Sequence, residues 1–314
     1  MTPTDTLLTS PEALLFVAAL IAGFVDSIAG GGGLILLPAI SLIVGAGPTA
    51  IGTNKLAALA MSLAALAVFT ARGHTPWRKS AVFALAAAVG SLAGSRAALL
   101  IPQAVFPWLL AVTCPLLLYV VWQKDLWTPR DLQVQTDAER DGDPDGVFVR
   151  LKRNLGADAA AILAGLACGV YDGIWGPGAG TFMFLALLFF VRLPLLAALA
   201  ASKVANALSA AVALGSYAAS GHVRWSLAAI AAAAALTGGF LGARQATTRA
   251  ARIVRPALVI VVLLLVVRVI AGESERAGVE FSGTQAYYVL RFAGALVLAT
   301  MVPLLIDRRA RRAR

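Results

Sequence analysis

Four ionisable residues in apolar surroundings are the residues of this sequence most able to do chemistry. Asp26 and Asp172 each stand four residues before a glycine cluster, and Lys55 and Lys203 lie inside long apolar runs. A charge at the centre of a bilayer costs roughly 2.5–3.5 kcal/mol on insertion scales, so such residues must face a cavity or a partner. Ammonium groups and the free N–H groups at a helix break both bind anions. The four residues therefore predict an anion site.

These residues belong to an internal repeat, because the sequence contains two copies of one unit. GFVDSIAGGGG at 23–33 recurs as GVYDGIWGPGAG at 169–180, so Asp26 and Asp172 are 146 residues apart. After a two-residue shift, other residues recur at a spacing of 148: Lys55, Gly73, His74, Trp77, Gly90, Gly94 and Arg96 return as Lys203, Gly221, His222, Trp225, Gly238, Gly242 and Arg244. The pattern indicates a duplicated unit of about 110 residues. Many secondary transporters are built from such repeats.

The composition indicates an integral membrane protein. The chain is 60% hydrophobic and 13% charged, with a mean hydropathy of +0.83. Abundant Ala and Gly favour packed helices, hence an all-α protein, over a barrel. Apolar stretches near the length of a span lie at 12–28, 33–44, 49–71, 80–101, 105–122, 157–174, 180–191, 195–219, 226–248, 254–271 and 284–306. Those at 33–44 and 180–191 are too short to cross upright.

The distribution of basic residues predicts the topology. If each glycine motif is the tip of a helical hairpin, followed by three spans, nearly every basic loop falls on one face. The halves are then inverted repeats, each a broken hairpin plus three transmembrane helices, with one added C-terminal helix. The N-terminus is expected outside, and the 124–153 loop and the C-terminus in the cytoplasm. The predicted organisation is a first repeat at 1–123, a charged cytoplasmic linker at 124–155, a second repeat at 156–271, and an extra helix with a basic tail at 272–314.

The predicted anion site combines the two hairpin tips with the lysines and their neighbours. The tips enter from opposite faces and are expected to meet near mid-membrane, with Asp26 and Asp172 as proton carriers or ion-pair partners. The predicted substrate-binding residues are Lys55, Lys203, Asn54, Thr53, Ser202, Asn206, Gly31, Gly32, Gly33, Gly178 and Gly180. An alternative is that Asp26 with Lys55, and Asp172 with Lys203, are purely structural ion pairs, and that the glycines only pack helices.

Other functional classes find little support in the residues. The glycine runs lack the GxxxxGK[ST] spacing, and no GxSxG, HExxH or paired catalytic carboxylates appear, so we expect no enzyme activity, cofactor or metal. The net charge of +10 reflects basic loops beside spans rather than a nucleic-acid partner. Cys114 and Cys168 are expected to be buried thiols, and His74 and His222 interfacial residues. The expected partners are a small anion and the lipid bilayer, and homo-oligomerisation is compatible with the sequence.

At these motifs the chain resembles the TauE/SafE family, also called the sulfite exporter or toluene-sulfonate uptake permease family. The resemblance rests on GFVDSIAGGGG with Pro38, GTNK at 52–55, GVYDGIWGPGAG and ASKVAN at 201–206, and it covers about residues 12–271. It implies a bacterial inner-membrane, multi-pass transporter of sulfite, sulfoacetate or other organosulfur anions that works without ATP. The 124–153 linker and the added C-terminal span depart from the family's pattern.

Residues and resemblance together predict a secondary transporter of small organic or inorganic anions that works by alternating access. Sulfite and sulfonates suit two ammonium groups with backbone and hydroxyl donors. The alternatives are a carboxylate carrier and a non-transporting membrane subunit or chaperone in which the ion pairs are structural.

Overall fold

The fold is a bundle of helices, and within the described residues seven of the eight helices lie within three residues of their predicted bounds. The computed structural model describes residues 11–45, 47–102 and 146–247, and within them every regular element is a helix. In chain order the helices are α1 (Pro11–Ala29), α2 (Gly32–Val44), α3 (Pro48–Ala71), α4 (Trp77–Ala98), α5 (Gly146–Ile174), α6 (Ala179–Phe189), α7 (Leu195–Ala219) and α8 (Trp225–Thr247). Five of them, α1, α3, α4, α7 and α8, are long and apolar enough to cross a membrane. The predicted spans at 105–122, 254–271 and 284–306 and Cys114 lie outside the described residues.

The two glycine motifs break the chain into helical pairs, as predicted. Helix α2 has 13 residues and α6 has 11, or about 20 Å and about 17 Å at 1.5 Å per residue, so neither spans a bilayer upright. Each packs on the helix before it, α2 on α1 and α6 on α5. The breaks depend on positive φ angles at Gly30 (84°), Gly176 (92°) and Gly178 (76°), which residues with a side chain rarely adopt.

Helix α5 begins earlier than the sequence predicted. It starts at Gly146, so the last ten residues of the expected linker at 124–155 are helical. The segment VFVRLKRNL at 147–155 has no Gly or Pro, and its Leu, Arg and Lys residues favour helix. A stretch rich in Asp, Gly and Arg without an apolar period predicts a solvated linker. The basic residues of 147–155 are nevertheless compatible with a helix that continues into the apolar stretch from 157.

Helices α3 and α7 end in the same way. After α3, the N–H groups of Gly73 and His74 donate to Thr70 O (2.9 Å) and Phe69 O (3.0 Å). After α7, Gly221 and His222 make the equivalent bonds to Ala218 O (3.0 Å) and Tyr217 O (2.9 Å). Both glycines have positive φ, 73° and 74°, so each end is a Schellman motif. The repeat predicted from sequence is therefore matched in backbone detail.

Each half holds the first arm of the other half's hairpin. Helix α1 packs on α8 and α5 packs on α4, in both cases through glycines that allow the backbones to approach closely. The matching contacts are Gly23 to Ala235 and Gly169 to Ala87, Gly238 to Leu20 and Gly90 to Leu166, and Gly242 to Phe24 and Gly94 to Val170. When a contact between two residues recurs between the equivalent residues of the other half, the two contacts are typical of a two-fold relation. The two halves are thus interlocked through their hairpins.

Candidate functional site

The two hairpin tips touch each other in the interior. A Cβ built on Gly30 would lie 2.6 Å from Gly180 O, and one built on Gly180 would lie 2.8 Å from Gly30 O. Thr181 Oγ1 donates a hydrogen bond of 2.8 Å to Ala29 O, which ties the start of α6 to the end of α1. Because both contacts leave no room for a side chain, the glycines at the tips are needed for this approach.

Lys55 reaches the tip of the second half. Its Nζ atom lies 2.8 Å from Asp172 Oδ1 and also donates to Asp172 O. The lysine is 1% exposed and the aspartate 3%. Lys55 follows the first residue of α3 by seven positions, about 10 Å along the helix axis, so the pair is deep inside the bundle.

Lys203 makes the equivalent contacts with the tip of the first half. Its Nζ atom lies 2.8 Å from Asp26 Oδ2 and donates to Asp26 O as well. The pairing of each aspartate with the lysine of its own half, which the sequence suggested as the structural alternative, is therefore wrong. The partners are exchanged because α1 and α5 each pack into the opposite half.

Each ammonium group sits at the negative end of a helix dipole. Asp172 is in the last turn of α5, and Asp26 is in the last turn of α1, where main-chain carbonyls have no intrahelical partners. A cation is stabilised there. The lysines therefore lie at the ends of the first arms, whereas the positive ends of α2 and α6 begin just beyond the breaks.

The two carboxylates differ in their remaining partners. Ser209 Oγ donates to Asp172 Oδ2 at 2.5 Å, whereas Asp26 Oδ1 accepts a longer bond of 3.3 Å from Gly32 N–H. Met61 occupies the position in the first half that corresponds to Ser209 in the repeat. Sequence reasoning missed Ser209, although an isolated hydroxyl six residues beyond Lys203 in an apolar helix was a usable signal.

The predicted neutral side chains fall into two groups. Thr53 Oγ1 donates to Thr49 O (2.6 Å) and accepts from Arg224 N–H (3.0 Å), and Ser202 Oγ donates to Leu199 O (2.8 Å), so both hydroxyls have protein partners. Asn206 Nδ2 donates to Ser62 Oγ (2.8 Å) across the halves. Asn54 is different, because its Oδ1 is buried without a hydrogen-bond partner in the part of the chain that the structure describes.

The predicted glycines line both helix starts. Gly31 is the N-cap of α2 and Gly178 the N-cap of α6, and neither cap makes a side-chain hydrogen bond. A Cβ on Gly33 would lie 3.3 Å from Pro177 Cα and 3.7 Å from Asn54 Nδ2. One on Gly32 would press on Ala22 O at 2.6 Å. Gly33 therefore faces the other tip, whereas Gly32 packs within its own hairpin.

The charges at the tips sum to zero. Two ammonium groups meet two carboxylates, and each ammonium uses two of its three N–H groups on its aspartate. Gly32 N–H donates to Asp26 Oδ1 and Ala179 N–H to Gly176 O, so the first N–H of each short helix is already used. One N–H on each lysine and the next N–H groups, those of Gly33 and Gly180, are the donors left for a ligand. Over the described ranges, no group of three or more His, Cys, Asp or Glu could hold a metal ion. The donors that remain at the tips could form hydrogen bonds to a small anion.

Comparison with known proteins gives the family. The family described as Sulfite exporter TauE/SafE matches residues 15–269, which is most of the chain. The chain belongs to the TauE/SafE family. As a TauE/SafE protein it is a membrane transporter and not an enzyme, and the alternative of a non-transporting subunit loses its support.

Relatives within the TauE/SafE family cover nearly the same residues. A probable membrane transporter protein, ORF9, from Sinorhizobium sp is 34% identical over 269 residues, 82% of this chain and 92% of the relative. One from Haemophilus influenzae is 30% identical over 259 residues, 82% of this chain and 94% of the relative. YfcA of Escherichia coli K12 is 32% identical over 249 residues, 79% and 85%. No solved structure matches this TauE/SafE chain.

Proposed function

We propose that this TauE/SafE protein is a secondary transporter that moves a small anion, with sulfite, sulfoacetate or another organosulfur anion as substrate, by alternating access. The observation that most supports anion transport is that two broken helices meet tip to tip beside two buried ammonium groups. The family description, sulfite exporter, supports the choice of sulfur oxyanions. Outward movement of an anion is favoured by an inside-negative potential, worth roughly 2.3 kcal/mol per charge per 100 mV.

The anion is proposed to bind between the starts of α2 and α6. Helix starts carry partial positive charge and free N–H groups, and broken helices that line a cavity bind anions in this way. Lys55 and Lys203 add one N–H each. Because the four charged side chains sum to zero, the helix starts supply the net attraction, and the ammonium groups supply directed hydrogen bonds.

The exchange of partners between the halves supplies a mechanism. Each tip is bound by a lysine of the other half, so a movement of one half against the other must lengthen or exchange at least one Lys–Asp pair. Inverted halves reach inward-open and outward-open states by exchanging their conformations. We propose that the two ion pairs are the contacts that alternate, and that an anion bound between the tips offsets the loss of one of them.

The orientation in the membrane is part of the proposal. The chain lies in the bacterial inner membrane with the C-terminus in the cytoplasm, because that orientation places nearly all basic loops inside. Asp26 and Asp172 serve as ion-pair partners of the lysines, and a carboxyl that takes up a proton would release its lysine to the anion.

A stabilisation assay followed by flux tests the proposal. Detergent-purified protein is heated with sulfite, sulfoacetate, acetate or chloride, because a ligand that binds the native state raises Tm. We expect sulfite or sulfoacetate to raise Tm more than acetate or chloride, and the same anion to be taken up by proteoliposomes along its gradient. Greater stabilisation by acetate would indicate a carboxylate carrier. Absence of flux for every anion, from protein that is folded, would contradict the proposal.

A further inference from the structure

Asn54 is the one predicted site residue whose side chain holds a buried hydrogen-bonding atom without a partner in the described part of the chain. The residue is 3% exposed, and its Oδ1 has no hydrogen-bond partner among the described residues. Thr53 and Ser202 meet their needs within the protein, and Asn206 bonds Ser62. Leaving a buried acceptor unmatched destabilises a protein, so such groups usually have a ligand or water.

The Asn54 amide lies at the meeting point of the two tips. Its Nδ2 is 3.7 Å from the place of a Cβ on Gly33, and the same place is 3.7 Å from Gly176 O and 3.3 Å from Pro177 Cα. Lys55 Nζ approaches the same tip, 3.0 Å from the place of a Cβ on Gly176. An anion at the start of α2 would therefore meet an amide and an ammonium from consecutive residues of α3.

The chemistry of an amide limits what satisfies it. Oδ1 accepts a hydrogen bond, so a fully deprotonated oxyanion, which has only acceptors, repels it. A hydrogen oxyanion has an O–H beside its charged oxygens. It can donate to Oδ1 while one of its oxygens accepts from Nδ2, and this pairing works in either orientation of the amide. Charge points the same way, because a formally neutral set of side chains favours a monoanion over a dianion.

We infer that the substrate is bound as a hydrogen oxyanion, a monoanion with an O–H group, and that the Asn54 amide selects for that O–H. The inference rests on the proposed anion transport and narrows its substrates to those that carry an O–H, which favours hydrogen-sulfite over sulfoacetate, a dianion with only acceptors once its carboxyl group is ionised. It also names Asn54 as the residue that recognises the O–H. Ser202, which corresponds to Asn54 in the repeat, is occupied with Leu199 O. The substrate O–H is therefore recognised by the first half of the site, through Asn54, and not by the second.

The test uses two anions of the same shape. Sulfite below its second acid dissociation is present as hydrogen-sulfite, including its HO–SO2⁻ form, and methanesulfinate, CH3–SO2⁻, replaces the O–H by a methyl group. Proteoliposome uptake of both is measured at that pH. The native protein should have a KM for hydrogen-sulfite about tenfold or more below that for methanesulfinate, because a site that hydrogen-bonds an O–H rejects an analogue without it.

Substitutions at Asn54 test whether this residue causes the lower KM for hydrogen-sulfite. Asn54→Leu keeps the approximate size and removes both polar ends, and it should bring the KM ratio close to one while methanesulfinate uptake persists. Asn54→Ser, the residue found in the second half, serves if the leucine variant does not fold. Thr237→Ala, an exposed threonine of α8 whose hydroxyl bonds its own helix, is the control and should keep the native ratio.

The outcomes separate the inference from the proposed function. Equal KM values for the two anions in the native protein would overturn the inference and leave anion transport intact, and would mean that water satisfies Asn54. A native KM ratio retained in the Asn54 variants would also overturn it. Uptake of neither anion, nor of sulfoacetate, by folded protein would overturn both.

Discussion

Lys55 of the first half is bonded to Asp172 of the second, with 2.8 Å between Nζ and Oδ1 and both residues almost fully buried. Lys203 and Asp26 repeat this contact in the opposite sense. The protein therefore has two ion pairs that join its halves at the tips of its hairpins. Replacing a buried pair by apolar groups is often neutral, but removing one partner is costly. The pairs hold the halves together and also place two ammonium groups beside the tips.

The exchange of partners predicts which double variants fold. Lys55→Met leaves the Asp172 carboxylate buried with Ser209 as its remaining side-chain partner, and we expect a loss of about 3–5 kcal/mol in stability. Adding Asp172→Asn should restore most of it, and adding Asp26→Asn should not. Thermal unfolding in detergent measures the coupling. Rescue by Asp26→Asn instead would mean that each pair forms within one half.

The contact between the tips predicts a specific loss of transport. Gly30→Ala would press on Gly180, and we expect uptake to fall about tenfold or more because the tips can no longer meet. Gly73→Ala is the matched control, since Gly73 also has positive φ but no atom within 4 Å of its Cβ position. Both substitutions carry a backbone cost of about 1–2 kcal/mol. Equal loss of uptake in the two variants would mean that backbone strain, not tip contact, limits transport.

The interlocking of the halves predicts paired effects on stability. Gly23→Ala and Gly169→Ala are equivalent in the repeat and would each meet the backbone of a helix of the other half, so each should destabilise by about 1–3 kcal/mol. Gly215→Ala, in α7 with open space around it, should be stabilising by about 0.5–1 kcal/mol. Tm values in detergent compare the three. A neutral Gly169→Ala would indicate that α4 and α5 do not pack closely.

The proposed inverted arrangement of the two halves predicts that equivalent loops are labelled from opposite sides of the membrane. Cys114 and Cys168 are replaced first, and single cysteines are then placed at two exposed residues, Lys79 at the start of α4 and Ser220 at the end of α7. An impermeant thiol reagent should label Ser220→Cys from outside intact cells, and Lys79→Cys only after the membrane is opened. Labelling of both from one side would show a parallel repeat and remove the basis for exchange of conformations.

Much of the fold follows from sequence because the signals are local. The glycine motifs around Gly30 and Gly176 predict the breaks in the hairpins, and the apolar runs predict eight helix positions. The sequence did not predict that α5 begins at Gly146, because charged residues do not by themselves break a helix. Residues 147–155 contain no Gly or Pro, the residues that would break one.

The partners within the site could not be read in the same way. Sequence proximity suggested Asp26 with Lys55, but the choice of partner depends on which helix each hairpin packs against. The glycines at 90, 94, 238 and 242 predict that these helices pack closely on a neighbour, but their pattern does not show which helix that neighbour is. The unmatched Oδ1 of Asn54 likewise appears only when all its neighbours are in place.

The most direct test of the central claim is anion uptake by double variants that fold without the ammonium groups. Lys55→Met with Asp172→Asn, and Lys203→Met with Asp26→Asn, each remove one pair without leaving a buried charge. Labelled sulfite or sulfoacetate uptake is measured in proteoliposomes that contain equal amounts of folded protein. We predict that the native protein sustains uptake along the gradient and that each double variant loses it by about a hundredfold, a loss of about 2.7 kcal/mol in transition-state stabilisation. Native uptake rates in either double variant would show that its lysine serves the fold alone and would contradict the account.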